Sequence, residues 1–180
     1  MLKTKIRKGV YETNSSSVHS ICISKEPILN VKGRKVNFYL GEFGWEFESA
    51  DPANYLYTAI MEQCDSDKLL SKLKAILDKN GIEYSFEPAD YSHGYLENGG
   101  IDHSWETQEF IDAVLNNEDM LMRYLFGEET AVFTGNDNSD GFWRYETAYQ
   151  GYEKAYDDDD NWIDNPYHNE EKFDYFVKEN

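Results

Sequence analysis

Residues 51–86 read DPANYLYTAIMEQCDSDKLLSKLKAILDKNGIEYSF, and the punctuation of this stretch decides the fold. Asp51 is a residue type that accepts hydrogen bonds from the free N–H groups at a helix start. Pro52 behind it has the fixed φ that suits a first helical position. Tyr55, Leu56, Ala59 and Ile60 then recur at helical spacing. Leu69, Leu70, Leu73, Ile76 and Leu77 form a second stripe, with Lys68, Lys72 and Lys79 outside it and Asn80-Gly81 as its stop. Ile82 to Phe86 returns as a short strand. Two capped helices and a strand in one block predict an α+β protein.

Working outward, Val18 to Ile23 (VHSICI) is rich in β-branched residues and predicts a strand. Lys35 to Phe47 alternates well enough for a second strand, interrupted by a turn or bulge at Gly41 and Gly44, and Lys5 to Tyr11 is a candidate third. Downstream, residues 88–104 read as a polar, glycine-bearing loop. Ser104 is placed to cap a helix carrying Phe110, Ile111, Val114 and Leu115. Asn116-Asn117 breaks that helix before Met120, Leu121, Tyr124 and Leu125, which end at Gly127. Ala131 to Thr134 predicts a strand, and 135–141 a turn-rich loop. Phe142, Tyr145, Tyr149, Tyr152 and Tyr156 are spaced as an aromatic helical stripe, expected to cover the core, with a homodimer contact as its other use. Lys172 to Val177 fits helix or strand. The prediction is one α+β domain over residues 1–180, with a small, mostly antiparallel sheet packed by four to five helices. Residues 1–50 form its basic, β-rich part and 51–180 its acidic, mainly helical part.

Composition narrows the function. The 180 residues hold 17 Lys and Arg against 35 Asp and Glu, a formal net charge of −18. With 40% hydrophobic and 16% aromatic residues the chain is not a disordered acidic tail. No apolar run approaches the ~20 residues that a membrane span needs. The opening MLKTKIRKGVYETN is basic but lacks the apolar stretch of a secretory signal. Cys22 and Cys64 alone suggest neither a zinc cage nor a disulfide framework. The expected location is the cytoplasm of a bacterial host, with no membrane partner. The charge is split: residues 1–40 hold eight bases and two acids, and the rest holds nine bases and 33 acids. Binding to bare nucleic acid is disfavoured for want of cations. The basic end could hold a phosphate backbone locally through Lys5 and Arg7. The acidic remainder suits a cationic protein surface or simple solubility.

Three polar clusters are candidates for chemistry. The densest is Glu12-Thr13-Asn14-Ser15-Ser16-Ser17-Val18-His19-Ser20. In an extended segment Ser17, His19, Ile21 and Ile23 share a face, which puts His19 half-buried where a polar site gives way to core. Such an imidazole is easily tuned towards general acid–base work, with Glu12 beside it. Asn14, Ser15, Ser16 and Ser17 could orient a phosphate or a reacting water, although a serine-rich turn that satisfies its own backbone gives the same pattern. The second cluster contains Asp102-His103. Two histidines from separate elements, His19 and His103, match metal-independent phosphodiester cleavage, in which one deprotonates a 2′-hydroxyl and the other protonates the leaving oxygen. The competing use of His103 is to help start the following helix. The third cluster contains Asn136 and Asp137. Aligned as a calcium loop it places Thr147 where a bidentate Glu is required, so calcium is not expected. Asp137 could instead join a divalent-metal or acid–base site at a strand end. No cofactor is expected. His93 and His168 are given no role, and the run Asp157 to Asp160 is expected to be a solvated loop or a protein-contact surface.

Three stretches together resemble a group of uncharacterised proteins encoded by phages and mobile elements of Gram-positive bacteria. They are Val10 to Ser20 (VYETNSSSVHS), Leu40 to Trp45 (LGEFGW) and Val132 to Asn138 (VFTGNDN), and the aromatic-E-T-N-S-S-S-x-H-S opening is the specific part. The resemblance implies a small accessory protein of phage or prophage origin and no settled chemistry. Size, acidity and that origin also resemble inhibitors of type II CRISPR systems, anti-CRISPR proteins that target the basic channels of Cas9. The expectation is therefore an anti-defence protein that engages a basic nucleic-acid-binding protein such as guide-RNA-loaded Cas9. It would touch or cut the guide RNA as a ribonuclease through Glu12, Asn14, Ser17, His19, Asp102 and His103. Two alternatives stand beside it: a non-catalytic acidic decoy, and a hydrolase or transferase using the same site on another substrate.

Overall fold

The computed structural model describes residues 17–45, 48–92, 95–102, 107–136, 153–156, 162–165 and 168–178. In chain order the strands begin with β1 (Ser17–Ser24), β2 (Lys35–Phe38), β3 (Glu42–Phe43) and β4 (Glu48–Ala50). Helices α1 (Pro52–Met61) and α2 (Ser66–Lys79) follow, then β5 (Glu83–Phe86), β6 (Tyr91–Ser92), β7 (Tyr95–Leu96) and β8 (Gly100–Ile101). The remainder is α3 (Gln108–Asn116), α4 (Glu118–Phe126), β9 (Ala131–Asn136), β10 (Lys154–Tyr156), β11 (Trp162–Asp164) and β12 (Phe173–Lys178). The fold is α+β, with four helices among the described residues.

A four-stranded antiparallel sheet in the order β12-β1-β9-β4 forms the spine. β1 lies inside it, paired on both sides, and all eight of its residues are buried. Ile21 and Ile23 point into the main core, as the period-two reading requires. As expected, the strand signal over Lys35–Phe47 is interrupted at Gly41 and Gly44: β2 ends before Gly41, β3 lies between the two glycines, and β4 follows. Gly44 has φ +96°, where a side chain is strained. β2 and β5 pair in parallel, and α1 and α2 supply the crossover that parallel strands need. β3 and β8 also pair in parallel.

α1 is buried along most of its length, with Tyr55, Leu56, Tyr57, Ala59 and Ile60 sealed. The side chain of its N-cap Asp51 accepts from the Asn54 N–H at 3.1 Å. A helix that buries this much of its surface belongs at the centre of a core. It packs against α2, α3 and α4 and against β2, β8 and β9. α2 is amphipathic: Leu69, Leu73, Ile76 and Leu77 are buried, and Asn80 and Gly81 end it as predicted. Asn117 separates α3 from α4 and caps α4 by accepting from the Met120 N–H. The buried Arg123 guanidinium ties α4 to the sheet. It donates to Asp119, to Asp174 on β12 and to the Ser24 carbonyl at 2.9, 3.0 and 2.7 Å.

Several expectations change. α3 starts at Gln108 with Thr107 in the N-cap position, and Ser104 lies outside the described residues. The loop expected over 88–104 contains β6, β7 and β8, because Tyr91, Tyr95 and Ile101 find ladder partners. Gly135 and Asn136 continue β9 instead of opening a turn. Tyr156 is in the antiparallel β10–β11 pair, not on a helix, while the rest of the Phe142–Tyr152 stripe lies outside the described residues. Beyond α4 the described elements are all strands, so the acidic part is not mainly helical to its end. Lys172–Val177 resolves to strand, as β12.

Candidate functional site

His19 is the third residue of β1, with β12 on one side of it and β9 on the other. It pairs with Lys178 and Thr134 in the two ladders. Expected to be half-buried, it is 1% exposed, because an interior strand covered on both faces leaves no margin for solvent. Its Nδ1 lies 2.8 Å from the Tyr55 hydroxyl. Tyr55 projects from the buried face of α1, and desolvation pushes its phenol well above the ordinary range, so it stays neutral at all physiological pH. The group on Nδ1 is thus a neutral hydroxyl. It orients the ring without the basicity that a carboxylate would add there. The Nε2 edge faces Gly44: a Cβ built on that glycine would lie 3.0 Å from Nε2 and 3.0 Å from Cβ of Asp102.

The described members of the three polar clusters meet at one end of the sheet. Ser17, fully buried at the start of β1, donates its hydroxyl to the Asp102 carbonyl at 3.1 Å across 85 positions of sequence. Asn136, at the end of β9, is the ladder partner of Ser17. Asp102 follows β8, and its N–H donates to the Phe43 carbonyl at 2.9 Å. Ser17, His19, Asp102 and Asn136 are therefore neighbours, built from β1, β8 and β9. Glu12, Asn14, Ser15, Ser16, Lys5, Arg7, His103 and Asp137 lie outside the described residues, as does His93. His168 stacks on Tyr175, ring centroids 4.5 Å apart.

Three further residues belong to the site: Tyr55 and Thr107, which were not singled out from the sequence, and Thr134, which opens the third polar cluster and was given no role of its own. Tyr55 read as one more apolar position of the α1 stripe. Thr134, buried beside His19 in the ladder, donates to Glu48 at 3.4 Å. Thr107 accepts from the Gln63 side chain at 3.3 Å. With the described residues His19, Ile21, Tyr55, Glu109, Phe110, Tyr175, Phe176 and Val177, Thr107 lines a cavity of about 250 Å³. Nothing in the sequence joins Thr107 to β1.

No group of three His, Cys, Asp or Glu side chains able to hold a metal converges among the described residues. Neither cysteine is placed for catalysis. Cys22 is buried, its thiol pushed up to about 12 by desolvation, and Cys64 is exposed on the far side of α1 from β1 in sequence, between α1 and α2.

Seven of the described basic side chains are engaged by the protein's own acids. They are Lys25, Lys35, Lys68, Lys79, Arg123, Lys154 and Lys172, each paired with a carboxylate. No helix among the described residues is long and apolar enough to cross a membrane. Comparison with known proteins returned no matching family model, no similar curated protein and no similar solved structure.

Proposed function

We propose that this protein is an acidic anti-defence factor of phage or prophage origin that docks on the cationic nucleic-acid groove of a nucleoprotein such as guide-RNA-loaded Cas9 and blocks it without cutting RNA. The observation that carries this reading is the placement of His19. The imidazole on which cleavage would depend is 1% exposed and hydrogen-bonded to Tyr55, while the chain carries a net charge of −18 and seven described Lys and Arg side chains are paired with its own acids. Charge complementarity of that kind speeds encounter and rejects wrong partners.

RNA cleavage is the second reading, and one observation favours it: His19 and Tyr55 stand in the wall of a cavity. The test is to incubate the protein with labelled guide RNA, with and without Cas9, using wild type, His19→Ala and the size-conserving His19→Gln. A decoy leaves the RNA intact and inhibits target cleavage with each folded variant. RNA cut by the wild type and spared by both variants establishes the second reading. Intact RNA with unimpaired Cas9 in every lane disposes of both.

A further inference from the structure

We propose that the cavity between α1, α3 and strands β1 and β12 receives the guanidinium of one arginine side chain of the basic partner. This rests on the docking reading above and names the partner chemistry that the acidic surface alone leaves open. Its lining includes five rings: Tyr175 and Phe176 are partly exposed to it, and His19, Tyr55 and Phe110 pack behind them at 3% exposure or less. The centroids of His19 and Tyr55 are 5.6 Å apart, those of Tyr55 and Phe110 6.0 Å, and those of Phe110 and Phe176 5.6 Å. Aromatic walls attract cations through the negative faces of their rings.

Glu109, exposed on the first turn of α3, is the only formally charged side chain among the described lining residues, and no described Lys or Arg lines the cavity. The positive end of the α3 dipole opposes a cation there, and the Glu109 carboxylate in the same turn offsets it. At about 250 Å³ the space is below the ~300–1,000 Å³ of drug-sized pockets, which suits a single side chain. Arginine fits better than lysine. Its planar fork pairs in two places with a carboxylate, and its weakly hydrated faces stack on rings. Arginines seated in desolvated pockets are also the anchors that dominate protein interfaces.

The experiment follows the Ile21 methyl, which lines the cavity, by ¹³C NMR of the full chain during titration with nona-arginine, nona-lysine and a uridine oligonucleotide. Wild type is compared with Glu109→Gln and with Phe176→Leu, and each variant is checked for fold by circular dichroism. The expected result is a shift of the Ile21 signal with nona-arginine, binding about threefold tighter than nona-lysine at equal charge. Glu109→Gln should weaken nona-arginine about threefold and leave nona-lysine less affected. If both peptides bind equally and neither variant changes the affinity, the arginine site is overturned while docking by charge stands. If neither peptide binds, the docking reading fails and takes the arginine site with it. If the oligonucleotide moves the Ile21 signal and the peptides do not, the cavity serves RNA and the proposal is wrong.

Discussion

The Tyr55 hydroxyl and Nδ1 of His19 lie 2.8 Å apart, with both side chains withdrawn from solvent. The contact joins the central helix to the inner strand of the sheet at the point where the polar end of β1 meets the core. The Tyr55 hydroxyl is neutral, and the region penalises an unmade hydrogen bond more than it rewards a made one. Tyr55→Phe removes the hydroxyl and keeps the ring. The expected cost is about 1.5 kcal/mol in urea unfolding, with no change in the far-ultraviolet circular dichroism of the folded state.

Gly44 is fixed twice over, by φ +96° and by the 3.0 Å approach to Nε2 of His19 that any Cβ would make. Gly44→Ala is expected to destabilise by about 2 kcal/mol. The His19 ring signals should move in the same variant, because the imidazole has to give way. An alanine at position 44 that costs nothing and leaves His19 unmoved would show that this edge of the ring is not enclosed.

The two thiols should differ sharply. Cys64 is exposed, whereas Cys22 is buried with its thiol pushed up to about 12, so almost none of it is thiolate at neutral pH. Ellman's reagent at pH 8 should titrate one thiol per native chain and two after denaturation. Two thiols in the native protein would mean that β1 opens readily.

Acid should weaken the link between α2 and α4. The Lys79 ammonium, 2.6 Å from Glu118, holds the Glu118 carboxyl below its ordinary range. A lowered folded-state pKa gives stability that is present above the ordinary carboxylate pKa and is lost as pH falls through the lowered value. Glu118→Gln should therefore lower the urea midpoint at pH 7, and the difference from wild type should vanish as pH falls through the lowered value.

Much of the helical layer was legible in the sequence because its signals are local. Asp51-Pro52, Asn80-Gly81 and Asn117 mark helix ends through their own side chains and backbone preferences, and the structure uses all three. The sheet was less legible, because pairing is set by partners far along the chain. Nothing local shows that β2 pairs in parallel with β5, or that Tyr156 prefers a strand partner to a helical stripe. The candidate site follows the same rule. His19 on the core-facing side of β1 was readable from period two. The Ser17–Asp102 bond spans 85 positions, and Tyr55, placed by helical spacing among apolar residues, gave no sign that its hydroxyl would meet an imidazole.

The most direct test of docking by charge is the affinity of the protein for guide-RNA-loaded Cas9 measured across a salt series from about 50 to 300 mM, where the Debye length falls to several ångströms. Binding should weaken steeply and continuously with salt and remain the same for folded His19→Gln. A complex whose affinity ignores salt, or no complex at the lowest ionic strength, would contradict it.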